Sequence, residues 1–118
     1  MTRFVEKPWG REELFAETAG YVGKILTVRA GHALSLQYHR AKDETMRVLA
    51  GTCELHLARQ AGSDQLDVFV LGPGEARRIP PGVRHRLVAV TDVTLIEVST
   101  PEITDVVRLE DRYGRADS

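Results

Sequence analysis

A single cysteine, Cys53, rules out an internal disulfide, and its place in the apolar run CELHL reads as a buried side chain rather than a catalytic thiol. No apolar stretch approaches the roughly 20 residues that cross a bilayer as a helix. The start, MTRFVEKPWGREEL, is polar throughout and lacks the apolar centre of a secretory signal. Nor does one sign of charge dominate. The 16 Lys and Arg against 17 Asp and Glu leave a net charge of −1, too balanced for a surface built to neutralise a nucleic-acid backbone. Together these absences predict a reducing, cytoplasmic setting with neither a membrane nor a nucleic acid as partner.

What is present fits one domain over residues 1–118. The 42% hydrophobic and 28% charged residues are those of an ordinary globular protein, which excludes low-complexity and collagen-like readings. A chain of this size buries about two thirds of its unfolded surface, enough for one core.

Period-two alternation with β-branched residues recurs at 21–28 (YVGKILTV), 33–39 (ALSLQYH), 44–50 (ETMRVLA), 52–58 (TCELHLA), 66–71 (LDVFVL) and 93–99 (VTLIEVS), and predicts strands. Glycine- and proline-punctuated turns (RAGHA, LAGT, RQAGSD, LGPGE, PPGVR) separate them. No helical pattern intervenes. The tail TDVVRLEDRYGRADS reads as a helical turn or an irregular strap with a mobile end. The fold class is therefore all-β, a small barrel or jelly roll that removes its own strand edges.

Within GHALSLQYHRAKDETMRVLAG, strand alternation puts Ser35, Gln37 and His39 on one face and Leu34, Leu36 and Tyr38 on the other. If RAKD turns a hairpin, Glu44 returns opposite His39. A second segment, GEARRIPPGVRH, supplies a rigid turn and then His85. Two imidazoles, a carboxylate and an amide oxygen suit a borderline divalent ion (zinc, manganese, iron, cobalt or nickel) rather than calcium. Each donor alone has an ordinary reading as a strand, turn or loop polar residue. His32 and His56 are placed by no spacing and read as surface or satisfied histidines.

The spacings G-x5-Q-x-H-x4-E-x6-G (Gly31 to Gly51) and G-x5-P-x-G-x2-H (Gly74 to His85) resemble the two motifs of the cupin superfamily, a double-stranded β-helix barrel with an internal metal, with Gln37 at the usual first histidine. The segments KPWG, VGKIL, GHALSLQYH, GT, HRL, LIEV and DVVRLEDRYGR follow the order of the cupin part of type II mannose-6-phosphate isomerases (phosphomannose isomerases). That resemblance implies metal-dependent aldose–ketose isomerisation of mannose 6-phosphate and fructose 6-phosphate, with Gln37, His39, Glu44 and His85 as ligands. A metal acting as Lewis acid needs a base to move the proton between C1 and C2. Glu97 is the candidate base, with Lys24 as its partner or as a ligand for oxyanion charge, against a surface salt bridge as the plain alternative. Lys42, Arg84, Arg86 and Arg108 are candidates for the substrate phosphate.

The chain departs from the family where Arg-Ala-Glu-His-Trp is usual: Lys42 stands at the arginine, and Thr45 and Met46 replace His-Trp. Lys42 keeps the charge and loses the bidentate fork. These residues include no nucleotidyltransferase part, so guanylyl transfer is not expected of them. Two other readings compete with the isomerase: a metal cupin of another class, such as an iron oxygenase, and a non-enzymatic sugar-binding module. A homodimer is expected, because Trp9, Phe4 and Phe15 make the N-terminal segment too apolar for a free arm.

Overall fold

The computed structural model describes residues 2–102 and 104–115. The chain runs as β1 (Arg3–Lys7), β2 (Gly10–Glu17), β3 (Val22–Val28), β4 (Leu36–His39), β5 (Glu44–Ala50), β6 (Cys53–Ala58), β7 (Leu66–Leu71), β8 (Ala76–Ile79), β9 (His85–Ala89), β10 (Val93–Ser99) and β11 (Val106–Glu110). No helix is long and apolar enough to cross a membrane. Two antiparallel sheets face each other, one in the order β1-β2-β3-β10-β5-β8 and the other β11-β4-β9-β6-β7. This is the all-β barrel that the alternation predicts.

Strands 44–50, 66–71 and 93–99 fall where expected. Their alternation is strong because one face is buried: β10 alternates buried and half-exposed residues along nearly its whole length. The inner faces meet in a core that includes Trp9, Leu26, Val48, Leu55, Leu71 and Leu95. Fully burying each such side chain contributes roughly 1.5–3 kcal/mol. Gly51, with φ 85°, ends the loop after β5 where a Cβ would lie 2.1 Å from Asp92 O, so only glycine fits.

Three expectations change. The tail is neither helical nor irregular over 106–110: it forms β11, paired antiparallel with β4, and residues 116–118 lie outside the described residues. The RAKD segment is not a hairpin turn, because β4 and β5 belong to opposite sheets, so residues 40–43 cross from one sheet to the other. And Trp9 is 2% exposed in its own chain's core, so of the three aromatic residues invoked Phe4 and Phe15 alone are exposed.

Candidate metal centre and cavity

Alternation on five strands aims the site inward. On β5 and β10 the buried positions include Glu44 and Glu97, and on β3 Lys24 lies directly across from Glu97. In the facing sheet Gln37 on β4 pairs in register with His85 on β9. The rigid PPG turn donates Gly82 N–H to His39 O at 2.6 Å, tying the second motif to the first. Crossing between sheets, rather than turning within one, is what brings His39 and Glu44 together across the interior.

The ligating atoms of His39, Glu44 and His85 lie within 4.8 Å of one another, and all three residues are buried. His39 Nε2 is 3.7 Å and His85 Nε2 3.3 Å from Glu44 Oε1. The other ring nitrogens face acceptors: His85 Nδ1 donates to Val83 O at 2.9 Å, and His39 Nδ1 to Asp105 Oδ1 at 3.2 Å. With Nδ1 so engaged, each ring turns its Nε2 toward the Glu44 carboxylate. Three lone pairs converging in a dry interior repel unless a cation or a proton sits among them. That donor chemistry fits a divalent ion, and loading one would displace any proton held there. Burial first, then the neighbouring Lys42 and His85 charges, lower the His39 pKa to about 4 against the pull of Glu44, so the imidazole is neutral and ready to ligate at pH 7.

Gln37 sits beside this cluster with its amide turned the other way. Its Oε1 accepts from Ser35 Oγ at 2.6 Å while its Nε2 faces His39 Nε2 at 3.4 Å. Presenting its oxygen to an ion requires a flip of the terminal amide.

Lys42, a sequence candidate for the substrate phosphate, is 3% exposed. Its Nζ lies 3.0 Å from Glu97 Oε2 and 3.1 Å from Glu44 Oε2. The second contact is an ion pair without a well-aligned hydrogen bond. Burial works against the ammonium, but the Glu97 and Glu44 carboxylates reverse this and hold its pKa above the ordinary lysine range. For Glu44, burial pushes upward, while the His85 hydrogen bond and the Lys42 charge win and hold it below the usual carboxylate range. Glu97 goes the other way. Burial, and then repulsion from Glu44, raise its pKa to about 7 against the pull of Lys42 and Lys24.

A cavity of about 270 Å³ opens beside this cluster, walled by Gln37, His39, Lys42 and Glu97 together with residues of β1, β2, β3 and β11. It is near the lower end of the roughly 300–1,000 Å³ of small-molecule sites. Lys24 and Arg108 reach it. Lys24 Nζ pairs with Glu12 Oε1 at 3.6 Å. Arg84 and Arg86 do not line it, and the Arg86 guanidinium donates to the backbone oxygens of Leu34 and Glu110 instead. Of the replaced family residues, Met46 is a core side chain and Thr45 points to the half-exposed outer face.

Asp105 has no place in the sequence reading of the site. Its Oδ1 holds His39 Nδ1, and its Oδ2 accepts the backbone N–H groups of Ala41 and Lys42 at 2.6 and 3.1 Å. The only sequence signal was its position at the head of DVVRLEDRYGR, a segment that carried the resemblance with no role attached.

The mannose-6-phosphate isomerase C-terminal family model matches residues 1–111. The chain belongs to that family. Among relatives, mannose-1-phosphate guanylyltransferase ManC of Salmonella typhimurium strain LT2 is 38% identical over 120 residues, covering 98% of this chain and 24% of that protein. Xanthan biosynthesis protein XanB of Xanthomonas campestris pv. campestris is 34% identical, covering 96% of this chain and 24% of that protein. This family member thus spans about a quarter of the length of the curated relatives it matches. Its fold is that of solved cupins. KdgF from Halomonas sp. superposes with a TM-score of 0.75 at 21% identity, over 87% of this chain and 91% of that one. Bacillus subtilis oxalate decarboxylase, described with Mn(II) centres, gives 0.75 at 16% identity over 91% of this chain and 30% of that one.

Proposed function

We propose that this chain is a metal-dependent aldose–ketose isomerase acting on mannose 6-phosphate and fructose 6-phosphate or a closely related sugar. The observation that carries the reading is Glu97: a buried carboxyl whose pKa is raised to about 7, on the wall of a cavity that His39 also lines. A group poised near neutral pH can both take and return a proton, as transfer between C1 and C2 requires. His39, Glu44 and His85, with Gln37 after an amide flip, would hold the divalent ion. When bound, the ion supplies Lewis-acid polarisation of the sugar oxygens. Glu97 Oε2 is engaged by Lys42, so Oε1 is the atom left to accept the C2 proton of the aldose and deliver it to C1, while the hydroxyl proton on O2 passes to O1. Lys42 and Lys24 then steady the charge that Glu97 gains and loses. The narrow interior limits access of bulk water to the reacting carbons.

Turnover of mannose 6-phosphate in deuterated water by the metal-loaded chain tests this. Deuterium should enter at C1 or C2 of the product. No conversion of any aldose phosphate or free aldose with manganese, zinc, cobalt or nickel would sink it. A non-enzymatic sugar-binding module is the second reading, favoured by the Lys42 clamp that ties up one Glu97 oxygen in the ground state. Binding without exchange would select it. The same proposal includes a cytoplasmic homodimer, supported by one buried cysteine and by the exposed Phe4 and Phe15. Light scattering at micromolar concentration that reports a mass of 13.1 kDa would reject the dimer.

A further inference from the structure

The isomerase chemistry lies inside the barrel and leaves the outer face of the six-stranded sheet unexplained. Strand alternation turns Val22, Lys24, Leu26, Leu95 and Glu97 inward, so Ile25 on β3 and Ile96 and Val98 on β10 point out. The centre of that face carries no charge: it is Gly23, Ile25 and Thr27 of β3 and Thr94, Ile96 and Val98 of β10. Phe15, swung out by the bulge in β2, lays its ring over Gly23, where a Cβ would lie 2.6 Å from Phe15 Cζ. Phe15 is 39% exposed and Val98 52% exposed.

Charge returns on either side, and most of it is neutralised within the chain. On the β1–β2 side Arg11 pairs with Glu6 at 2.9 Å, and on the β5–β8 side Arg78 pairs with Asp43 at 2.7 Å. Among the described residues, Glu13 on β2 and Arg47 on β5 make no ion pair and no side-chain hydrogen bond. The strand register puts these two in one row: Glu13 lies beside Ile25, Ile25 beside Ile96, and Ile96 beside Arg47. The row reads negative, apolar, apolar, positive, and is therefore self-complementary. A two-fold axis parallel to the strands, above the line between β3 and β10, sets Glu13 of each copy against Arg47 of the other and Ile25 against Ile96. In a neighbouring row the same axis sets Gly23, with the Phe15 ring on it, against Val98. The outer face of the five-stranded sheet has no such row. There Val70 and Val88 flank Glu54, and Val68 and Arg86 flank His56, so the valines are divided by a polar pair that closes on itself at 2.9 Å.

We propose that the outer face of the six-stranded sheet is the interface of a homodimer, two copies packed sheet on sheet about that axis, with a Glu13–Arg47 pair on each side of an apolar centre. Facing sheets stack about 10 Å apart, a gap that opposed isoleucines fill and that a glutamate and an arginine can bridge. A charge-free centre with aromatic and arginine side chains around it is the composition of a protein interface. The inference rests on the dimer reading above and not on the isomerase. The metal cluster lies on the other side of this sheet.

Sedimentation equilibrium on the full chain over a micromolar dilution series tests it. Wild type should be a dimer. Glu13→Arg and Arg47→Glu should each raise the dimer dissociation constant roughly a hundredfold, since symmetry repeats each like-charge contact twice. The double exchange, Glu13→Arg with Arg47→Glu, should bring it back to within about tenfold of wild type. Val98→Asp should give a monomer, and Val70→Asp on the other sheet should leave the dimer unchanged. Far-ultraviolet circular dichroism should be the same in every variant, which reports an intact barrel. Wild-type pairing in Glu13→Arg, Arg47→Glu and Val98→Asp, a double exchange no tighter than its singles, or dissociation by Val70→Asp in place of Val98→Asp overturns this face while the dimer reading stands. A wild-type monomer at every concentration rejects the dimer reading, and the face with it.

Discussion

The two sheets bring different chemistry to the same interior. The six-stranded sheet supplies the carboxylates Glu12, Glu44 and Glu97 and the amine of Lys24, whereas the five-stranded sheet supplies the imidazoles of His39 and His85 and the amide of Gln37. Neither set is complete. An imidazole pair without Glu44 lacks the anion that favours a divalent ion, and Glu44 with Glu97 alone is a repelling pair of buried acids. The crossing segment between the sheets brings the cation, Lys42, that separates those acids. Because facing sheets stack about 10 Å apart, side chains from both reach a common point, and the site exists only when the sheets pack. Site and fold are therefore coupled more tightly than in a centre built from one loop.

Substitutions on each side of this divide should fail differently. On the six-stranded side, Glu97→Gln keeps size and burial but cannot accept the proton, so kcat for isomerisation should fall roughly 10²- to 10⁴-fold with metal content unchanged by elemental analysis. In the crossing, Lys42→Met leaves Glu44 and Glu97 buried without their cation, and denaturant unfolding of metal-free protein should show a loss of about 3–5 kcal/mol. On the five-stranded side, Asp105→Asn withdraws the carboxylate that fixes the His39 ring. Metal affinity, read by competition with a chromophoric chelator, should drop about 10- to 100-fold while Glu97 stays in place. An equal loss of metal from Glu97→Gln and Asp105→Asn would erase the division of labour between sheets.

The smallest effect lies away from both. Burial pushes the Cys53 thiol up to about 11 from its ordinary 9.0, with the Glu75 charge adding to the shift. The fold thus favours the protonated thiol. Its contribution is whole below pH 9 and is lost as pH rises toward 11. Wild type should lose a little stability across that window by denaturant midpoint, Cys53→Ala should lose less, and the native thiol should resist alkylation at pH 8.

The sequence spoke most clearly where one face of a strand is apolar and the other wet, as in VTLIEVS and ETMRVLA. It was mute on β1 and β2, whose RFVEK and GREELFAE carry charge on both faces because their inner side chains line the cavity rather than the core. The strands β8 and β9 are too short for alternation to register, and β11 is an edge strand with a single partner. For the site, motif spacing singled out Gln37, His39, Glu44 and His85, and the fold gathers three of them, His39, Glu44 and His85, into a buried cluster that could hold a metal ion. The local pattern misplaced Lys42, because it does not reveal whether a four-residue link turns back or changes sheet. Arg84 and Arg86 flank His85 in sequence, but strand alternation turns them away from it. Asp105 escaped because its partner His39 lies 66 positions earlier.

That separation has a consequence in time. Local hairpins such as β1–β2 and β6–β7 close early, whereas a contact spanning 66 positions must wait for the intervening strands to find their places. Until Asp105 arrives, the His39 ring has no partner to stop it spinning, and the crossing segment lacks the acceptor for its Ala41 and Lys42 amides. An ion offered to a growing or half-folded chain therefore meets scattered donors rather than a socket. Only the completed barrel can hold it, and mass action then draws the population toward that state. Capture of the proposed ion would then be a late checkpoint, passed by molecules that have finished folding.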